Sequence, residues 1–201
     1  QELGREPQPG LALLWLERGK ADTAHALIGH ALADLPREDR LRRLRPLPAQ
    51  VEIALAAGDL VAATAATDEL DAAALAFATP GISAAASTAR GALQVATGDP
   101  AAAITSLRRA CVVWKQVDAP YESAQARLLL ARAYRAQGDD EAATVETKGA
   151  AATLERLGAV LALQRTADAS LRSTPPTDDA HVDRPPAAGD VIDDRIELLR
   201  L

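Results

Sequence analysis

The apolar positions of the chain form runs rich in alanine, and no six-residue stretch alternates between apolar and polar residues as a half-buried strand would. Alanine dominates segments such as 62–66 and 72–76. Because alanine is the strongest helix former and lets neighbouring helix axes approach closely, these runs predict packed helix pairs. We therefore expect an all-α protein without a sheet.

A glycine followed by a charged residue interrupts the helical pattern four times, at intervals of about 40 residues. The four turns are Gly19-Lys20, Gly58-Asp59, Gly98-Asp99 and Gly138-Asp139. An alanine follows five residues after each of these glycines. Glycine readily takes the left-handed conformation that closes a helix, and aspartate caps the helix that follows. Each turn therefore predicts one helix–turn–helix unit.

Prolines separate these units, because proline breaks a helix that would otherwise run on. They occur at Pro46 and Pro48, at Pro80 and at Pro120. The predicted organisation is a lead-in at residues 1–8 and a repeat domain at 9–166. Its units span about 9–36, 47–78, 82–117 and 121–157.

The first and fourth units resemble the tetratricopeptide repeat (TPR), which has a small residue, an aromatic residue, glycine at the turn and alanine in the second helix. The first carries Leu11, Ala12, Trp15, Gly19, Ala24, Ile28, Ala31 and Pro36; the fourth carries Leu130, Ala131, Tyr134, Gly138, Ala143 and Ala150. The period exceeds the usual value of about 34 residues, and the middle units lack the aromatic residue. Longer helices or longer links are expected, and an unrelated helical bundle is the alternative.

The TPR resemblance implies a right-handed α-solenoid of about four helix pairs with a concave surface. By analogy with TPR geometry, Glu52, Arg132 and Arg135 of the first helices would line that surface. A protein partner or a small inducer would bind there.

The formal net charge of −6 argues against nucleic-acid binding by this segment, because phosphate contacts require clustered lysine and arginine. One local cluster is basic, and we expect it to be a solvated helix face rather than a phosphate site. It contains Arg37, Arg40, Arg42, Arg43 and Arg45.

Cysteine and histidine, which are common in catalytic and metal sites, are too few and too scattered in this sequence to form such a site. Cys111 is alone, which excludes an intramolecular disulfide, and we expect it to pack as a small apolar residue. His25 and His30 do not share a helix face, and His181 has no neighbouring ligand. Neither a phosphate-binding loop nor a nucleophile elbow is present. We expect no enzyme activity, no cofactor and no metal.

Carboxylates cluster at Asp68, Glu69 and Asp71, which we expect to be solvated near a helix end. The chain has neither a signal peptide nor a run of about twenty apolar residues. These features predict a soluble cytoplasmic protein with no membrane partner. Methionine is absent even at position 1, so we expect a fragment or a trimmed product.

Beyond the repeats, proline and aspartate predict a mobile linker at residues 167–190, followed by an amphipathic segment at 191–201. Residues 196–201 resemble the first helix of the LuxR-type helix-turn-helix domain. Residues 4–14, 119–122 and 155–159 look like the repeat region of large actinobacterial LuxR-family regulators.

The LuxR resemblance implies that an ATPase or cyclase module precedes the repeats and a DNA-binding domain follows them. The array would then pass a signal to these neighbouring domains of a larger regulator. A free-standing interaction adaptor, and a truncated remnant of a regulator without DNA binding, are the alternatives. The oligomeric state is left open by the sequence.

Overall fold

The computed structural model describes residues 8–159, and this part of the chain contains nine helices and no strand. They are α1 (Gly10–Glu17), α2 (Ala21–Ala33), α3 (Arg40–Leu44), α4 (Leu47–Ala57), α5 (Leu60–Phe77), α6 (Pro80–Ala96), α7 (Pro100–Gln116), α8 (Pro120–Gln137) and α9 (Asp140–Arg156). The all-α prediction is confirmed for these residues. The predicted linker at 167–190, the amphipathic segment at 191–201, and residues 1–7 and 160–166 lie outside the described part.

Helices pair across the glycine turns, so that α1 packs on α2, α4 on α5, α6 on α7 and α8 on α9. One hydrogen bond recurs in all four turns: the backbone N–H of the residue after the glycine donates to the carbonyl four residues before the glycine. The bonds are Lys20 to Trp15 at 3.0 Å and Asp59 to Ala54, Asp99 to Gln94 and Asp139 to Tyr134 at 2.9 Å. The four turns therefore close in the same way.

Aspartate caps the second helix of the last three pairs, as the sequence predicts. The carboxylates of Asp59, Asp99 and Asp139 accept hydrogen bonds from backbone N–H groups at 2.9–3.0 Å. Each satisfies a donor in the first turn that would otherwise lack a partner. Lys20 stands at the same position before α2 and provides no side-chain cap.

Successive pairs also pack on one another. The second helix of each pair contacts the first helix of the next, which joins α2 to α4, α5 to α6 and α7 to α8. The first helices contact each other as well, because α4 packs on α6 and α6 packs on α8. Both helices of each hairpin thereby pack on the first helix of the next hairpin.

The core is built from small side chains and divides into several clusters along the chain. The alanines five residues after the turn glycines are Ala24, Ala63, Ala103 and Ala143, and all four have 0% exposure. Side chains of this size let helix axes approach closely where they cross. Larger residues such as Leu70, Leu107 and Leu154 fill the remaining space and are also fully buried.

Residues 34–46 form a longer link than those between the other pairs, and residues 37–46 lie between the first two units predicted from the sequence. The short helix α3 lies in this link, and Asp39 caps it by accepting from the N–H of Arg42 at 3.2 Å. Only residues 78–79 and 117–119 join the later pairs. The insertion places the basic cluster between the first two hairpins.

Candidate functional site

The predicted turn glycines all lie at helix ends with positive φ angles. The values are 73° for Gly19, 77° for Gly58, 81° for Gly98 and 85° for Gly138. At Gly58 and Gly138 the glycine is itself the left-handed residue that ends α4 and α8. A residue with a side chain would strain the backbone there, so the role of these glycines is to allow the tight turns between helices.

The three predicted groove residues lie on the first helices of two hairpins, the second and the fourth. Glu52 is exposed on α4, between the buried residues Val51 and Ile53. Arg132 is exposed on α8, and Arg135, one turn further along, donates from Nη2 to the Thr147 hydroxyl of α9 at 3.3 Å. None of the three lines the cavity described next.

A cavity of about 790 Å³ lies between the first and second hairpins. Helices α2 and α5 both pack on α4, and the space between them is bordered by α3 and the link before it. Its lining combines small and apolar side chains with three arginines, one glutamine and one glutamate. The volume is within the range of small-molecule sites in proteins. We call it the inter-hairpin cavity.

Arg43 fixes the wall of this cavity. Its guanidinium pairs with both carboxylate oxygens of Glu69 on α5, with Nη2 at 2.9 Å from Oε2. Nη1 also donates to the carbonyl of Leu32, in the last turn of α2, at 2.8 Å, and to the carbonyl of Leu35, just after α2, at 3.2 Å. One side chain thus joins α2, α3 and α5.

The environment of Arg43 differs from the solvated helix face that the sequence predicts. Its side chain is 11% exposed, and its hydrogen bond to Glu69 raises the pKa of the guanidinium, against the opposing effect of burial. The prediction was wrong for this residue, because helical periodicity does not show which arginine faces a carboxylate 26 residues away. Arg42, by contrast, has a 75% exposed side chain.

Gln50 is a lining residue that also carries a buried polar atom without a partner. The residue is 7% exposed, and its Oε1 is buried without a hydrogen-bond partner. Such an acceptor costs about 1–3 kcal/mol relative to one that is paired.

The remaining lining divides into an apolar part and a basic edge. Leu32, Leu44 and Leu47 form the apolar part together with alanines of α5. Arg37 and Arg40 also line the cavity and are exposed. Since Glu69 neutralises Arg43, these two arginines give the cavity a positive edge in a chain of net charge −6.

The carboxylates beside Glu69 are also paired rather than simply solvated, and they lie within α5 rather than near its end. Arg90 of α6 contacts Asp71 through Nε at 3.0 Å and Asp68 through Nη2 at 2.9 Å. These hydrogen bonds raise the pKa of the Arg90 guanidinium, with the Asp71 bond contributing most. The expectation of solvated carboxylates holds for Asp68, whose side chain is 61% exposed, but it missed the ion pairs with Arg90 that join the second and third hairpins.

Reactive side chains elsewhere do not assemble into a second site. Burial raises the pKa of the Cys111 thiol from 9.0 to about 11, which keeps it protonated and weakly nucleophilic near neutral pH. His25 Nε2 lies 3.3 Å from the Asp59 carboxylate. Among residues 8–159, no three His, Cys, Asp or Glu side chains are grouped so as to hold a metal ion. In the same range, no helix is both long and apolar enough to span a bilayer.

Comparisons with protein-family models, with curated proteins and with solved structures give no match to this chain.

The inter-hairpin cavity was not predicted from the sequence. The signal that pointed toward it was the link at 34–46, which carries the basic cluster and is longer than the other links between hairpins. Loops that exceed the needs of a connection often carry function. The partners of Arg43, and the position of Gln50, depend on contacts between helices that the sequence alone did not define.

Proposed function

We propose that this chain is a non-catalytic binding and signal-sensing region of a LuxR-family transcriptional regulator, built as a right-handed α-solenoid of four TPR-like hairpins. The observation that carries the proposal is the repeated packing of both helices of each hairpin on the first helix of the next hairpin. The resemblance of residues 4–14, 119–122 and 155–159 to LuxR-family repeat regions supplies the family. Such arrays act by presenting surfaces to partners.

The inter-hairpin cavity supports a sensing role. It lies where two hairpins meet, and its wall depends on one arginine that joins α2, α3 and α5. A molecule bound there would contact both hairpins at once. It would therefore favour one relative orientation of the two, which is the requirement for passing a signal along a stack.

The solenoid is tested by a distance between the first and last hairpins. Spin labels at cysteines replacing the exposed residues Ala26 of α2 and Ala152 of α9, in a Cys111→Ser background, should lie about 30 Å apart or more, because each of three hairpin steps adds about 10 Å. A compact bundle would bring them within about 20 Å. Pulsed electron paramagnetic resonance measures the separation and decides between the two.

The regulator assignment is tested by DNA binding. Residues 1–201 should not bind duplex DNA at physiological salt, because the segment is acidic. The same chain extended by the residues that its gene encodes after Leu201 should bind duplex DNA through a helix-turn-helix. An extended product that does not bind DNA would contradict the LuxR assignment and leave an interaction adaptor as the better explanation.

A further inference from the structure

We propose that residues 160–172 dock as a helix on the fourth hairpin, in the place that the first helix of a further hairpin would take. The receiving surface is the side of α9 that carries Thr144, Lys148 and Ala151, which we call the terminal face. Among the described residues, no later helix covers this face. The proposal goes beyond the proposed function, because it names what covers the end of the array whether or not the chain belongs to a regulator.

The terminal face is identified by its counterpart on α7, forty residues earlier in the chain. Arg108 of α7 donates from Nε to the Tyr134 hydroxyl of α8 at 2.9 Å. Ile104 and Cys111 lie one turn before and one turn after Arg108 on the same side of the helix, and Ile104 is 7% exposed. This side of α7 is therefore the one that α8 covers. The equivalent positions of α9 are Thr144, Lys148 and Ala151.

The terminal face can accept an apolar helix although two of its three positions are polar. The Thr144 hydroxyl donates to the carbonyl of Asp140 within α9 at 2.8 Å, which leaves the methyl group of Thr144 for packing. Lys148 carries a four-carbon stem that can lie along apolar surface while its ammonium group stays in water. Ala151 is small enough to let a second helix axis approach closely.

The chain leaves α9 through the same kind of turn by which it leaves α7 to enter α8. Three backbone hydrogen bonds recur: Leu157 to Thr153 at 3.1 Å, Gly158 to Glu155 at 3.0 Å and Ala159 to Leu154 at 3.0 Å repeat Val117 to Val113 at 3.1 Å, Asp118 to Lys115 at 3.3 Å and Ala119 to Trp114 at 3.0 Å. The middle residue has a positive φ in both turns, 66° at Gly158 and 52° at Asp118. Since the earlier turn leads directly into α8, the later one directs Val160 toward the terminal face.

The sequence after this turn has the pattern of a helix with one apolar side. Apolar residues three or four positions apart are Val160, Leu163, Ala167 and Leu171. The charged residues Arg165, Asp168 and Arg172 fall between them. Pro175 and Pro176 would end a helix soon afterwards, which sets the limit of the docked segment near residue 172.

The register of the repeat places this apolar side against the terminal face. Burial and the charge of Glu146 raise the pKa of the Cys111 thiol to about 11, and the Arg127 guanidinium of α8 opposes them, which puts Arg127 close to Cys111. Forty residues later, the corresponding pair is Ala151 and Ala167. A contact between two alanines at this position allows the docked helix to lie close to α9.

Cross-linking within the full chain tests the docking. In a Cys111→Ser background, a short bismaleimide should join Ala151→Cys to Ala167→Cys within one molecule. Ala151→Cys with Asp168→Cys is the matched control, because position 168 is adjacent in the chain but about 100° further round a helix. The first pair should react at least about fivefold faster than the control pair.

Two results of the cross-linking would overturn the proposal. Equal rates for the two pairs would show that residues 160–172 have no fixed orientation against α9. A cross-link between two molecules, seen as a dimer on a denaturing gel, would show that a second copy of the chain covers the terminal face instead.

Hydrogen exchange tests the same docking without new cysteines. In the unsubstituted chain, the amides of residues 163–171 should exchange at least about tenfold more slowly than in an isolated peptide of the same sequence. Leu163→Ser should remove this protection, whereas Arg165→Ser, outside the apolar side, should keep it. Protection that is absent from the unsubstituted chain, or that survives Leu163→Ser, would contradict docking through this side. Both measurements are independent of the spin-label distance and of DNA binding.

Discussion

Leu107 on α7 packs directly against the backbone of Gly91 on α6. A β-carbon added at Gly91 would lie 2.7 Å from Leu107 Cδ2 and closer still to Cγ, in a place where Leu107 is fully buried. Gly91 stands at the small-residue position seven residues before the turn glycine, where the other hairpins have Ala12, Val51 and Ala131. The two helices of the third hairpin, α6 and α7, therefore approach each other more closely at Gly91 than an alanine there would permit.

Gly91→Ala should lower the free energy of unfolding by about 1–2 kcal/mol, because overpacking against Leu107 exceeds the gain in helix propensity. Urea unfolding followed by circular dichroism measures the change. Gly29→Ala is the matched control, since an added β-carbon there meets nothing within 4 Å and should stabilise α2 by about 0.5–1 kcal/mol.

The sign of the Gly91 effect should reverse when Leu107 is shortened. In a Leu107→Ala background, Gly91→Ala fills part of the space left by the leucine and should stabilise the protein. If Gly91→Ala destabilises equally in both backgrounds, the cause is not its contact with Leu107.

Arg43→Ala should destabilise the protein by about 2 kcal/mol, because it leaves Glu69 and two backbone carbonyls without the guanidinium. Arg42→Ala, which removes a side chain that is 75% exposed, should change stability by less than about 0.5 kcal/mol. Thermal or urea unfolding of the two variants compares them. Equal effects would mean that the Arg43 contacts add nothing to the joint between hairpins.

Ala78→Gly should stabilise the protein by about 0.5–1 kcal/mol. Ala78 ends α5 in the left-handed conformation, at φ 48° and ψ 31°, where alanine pays a steric cost that glycine avoids. Ala152→Gly, at an exposed position inside α9, should instead destabilise by about 1 kcal/mol. Denaturant midpoints of the two variants should move in opposite directions.

Cys111 should make stability fall in alkaline solution. Burial, with the nearby charge of Glu146, raises the folded-state pKa of the thiol to about 11, so the unfolded chain loses the proton first as pH rises above about 9. Between these values the folded state binds more protons than the unfolded state, and stability decreases as pH increases.

Cys111→Ala removes this titration, so its unfolding midpoint should fall less steeply between pH 9 and about 11 than that of the unsubstituted chain. A thiol reagent at pH 8 should react slowly with the folded protein and quickly after unfolding in urea. Rapid labelling of the folded protein would show that the thiol is more accessible than the structure indicates.

Local sequence patterns predicted the helices and their turns because these depend on residues close together in the chain. Gly58 and Asp59, for example, close one helix and cap the next through backbone groups within five residues. The buried alanines at the crossings followed from the same repeating frame. The all-α architecture of the described residues was therefore accessible from sequence.

The cavity and its polar contacts depend on side chains that meet across hairpins. Arg43 and Glu69 are 26 residues apart, and Arg43 is one of five arginines that lie close together in the sequence. The sequence pattern does not distinguish Arg43 from the other four. Arg43 is the arginine that turns inward, because from α3 it reaches both Glu69 of α5 and the carbonyls of Leu32 and Leu35. Gln50 and the insertion at 34–46 likewise border the same cavity, and no periodic pattern specifies the path of that insertion.

The hydrogen bond shared by the four turns bears on how the chain folds. It joins residues only five apart, so closing each hairpin costs little loop entropy. Because such contacts join residues that are close in sequence, the protein should fold quickly. During synthesis the first hairpin closes soon after it leaves the ribosome, and each later hairpin finds a folded neighbour on which to pack.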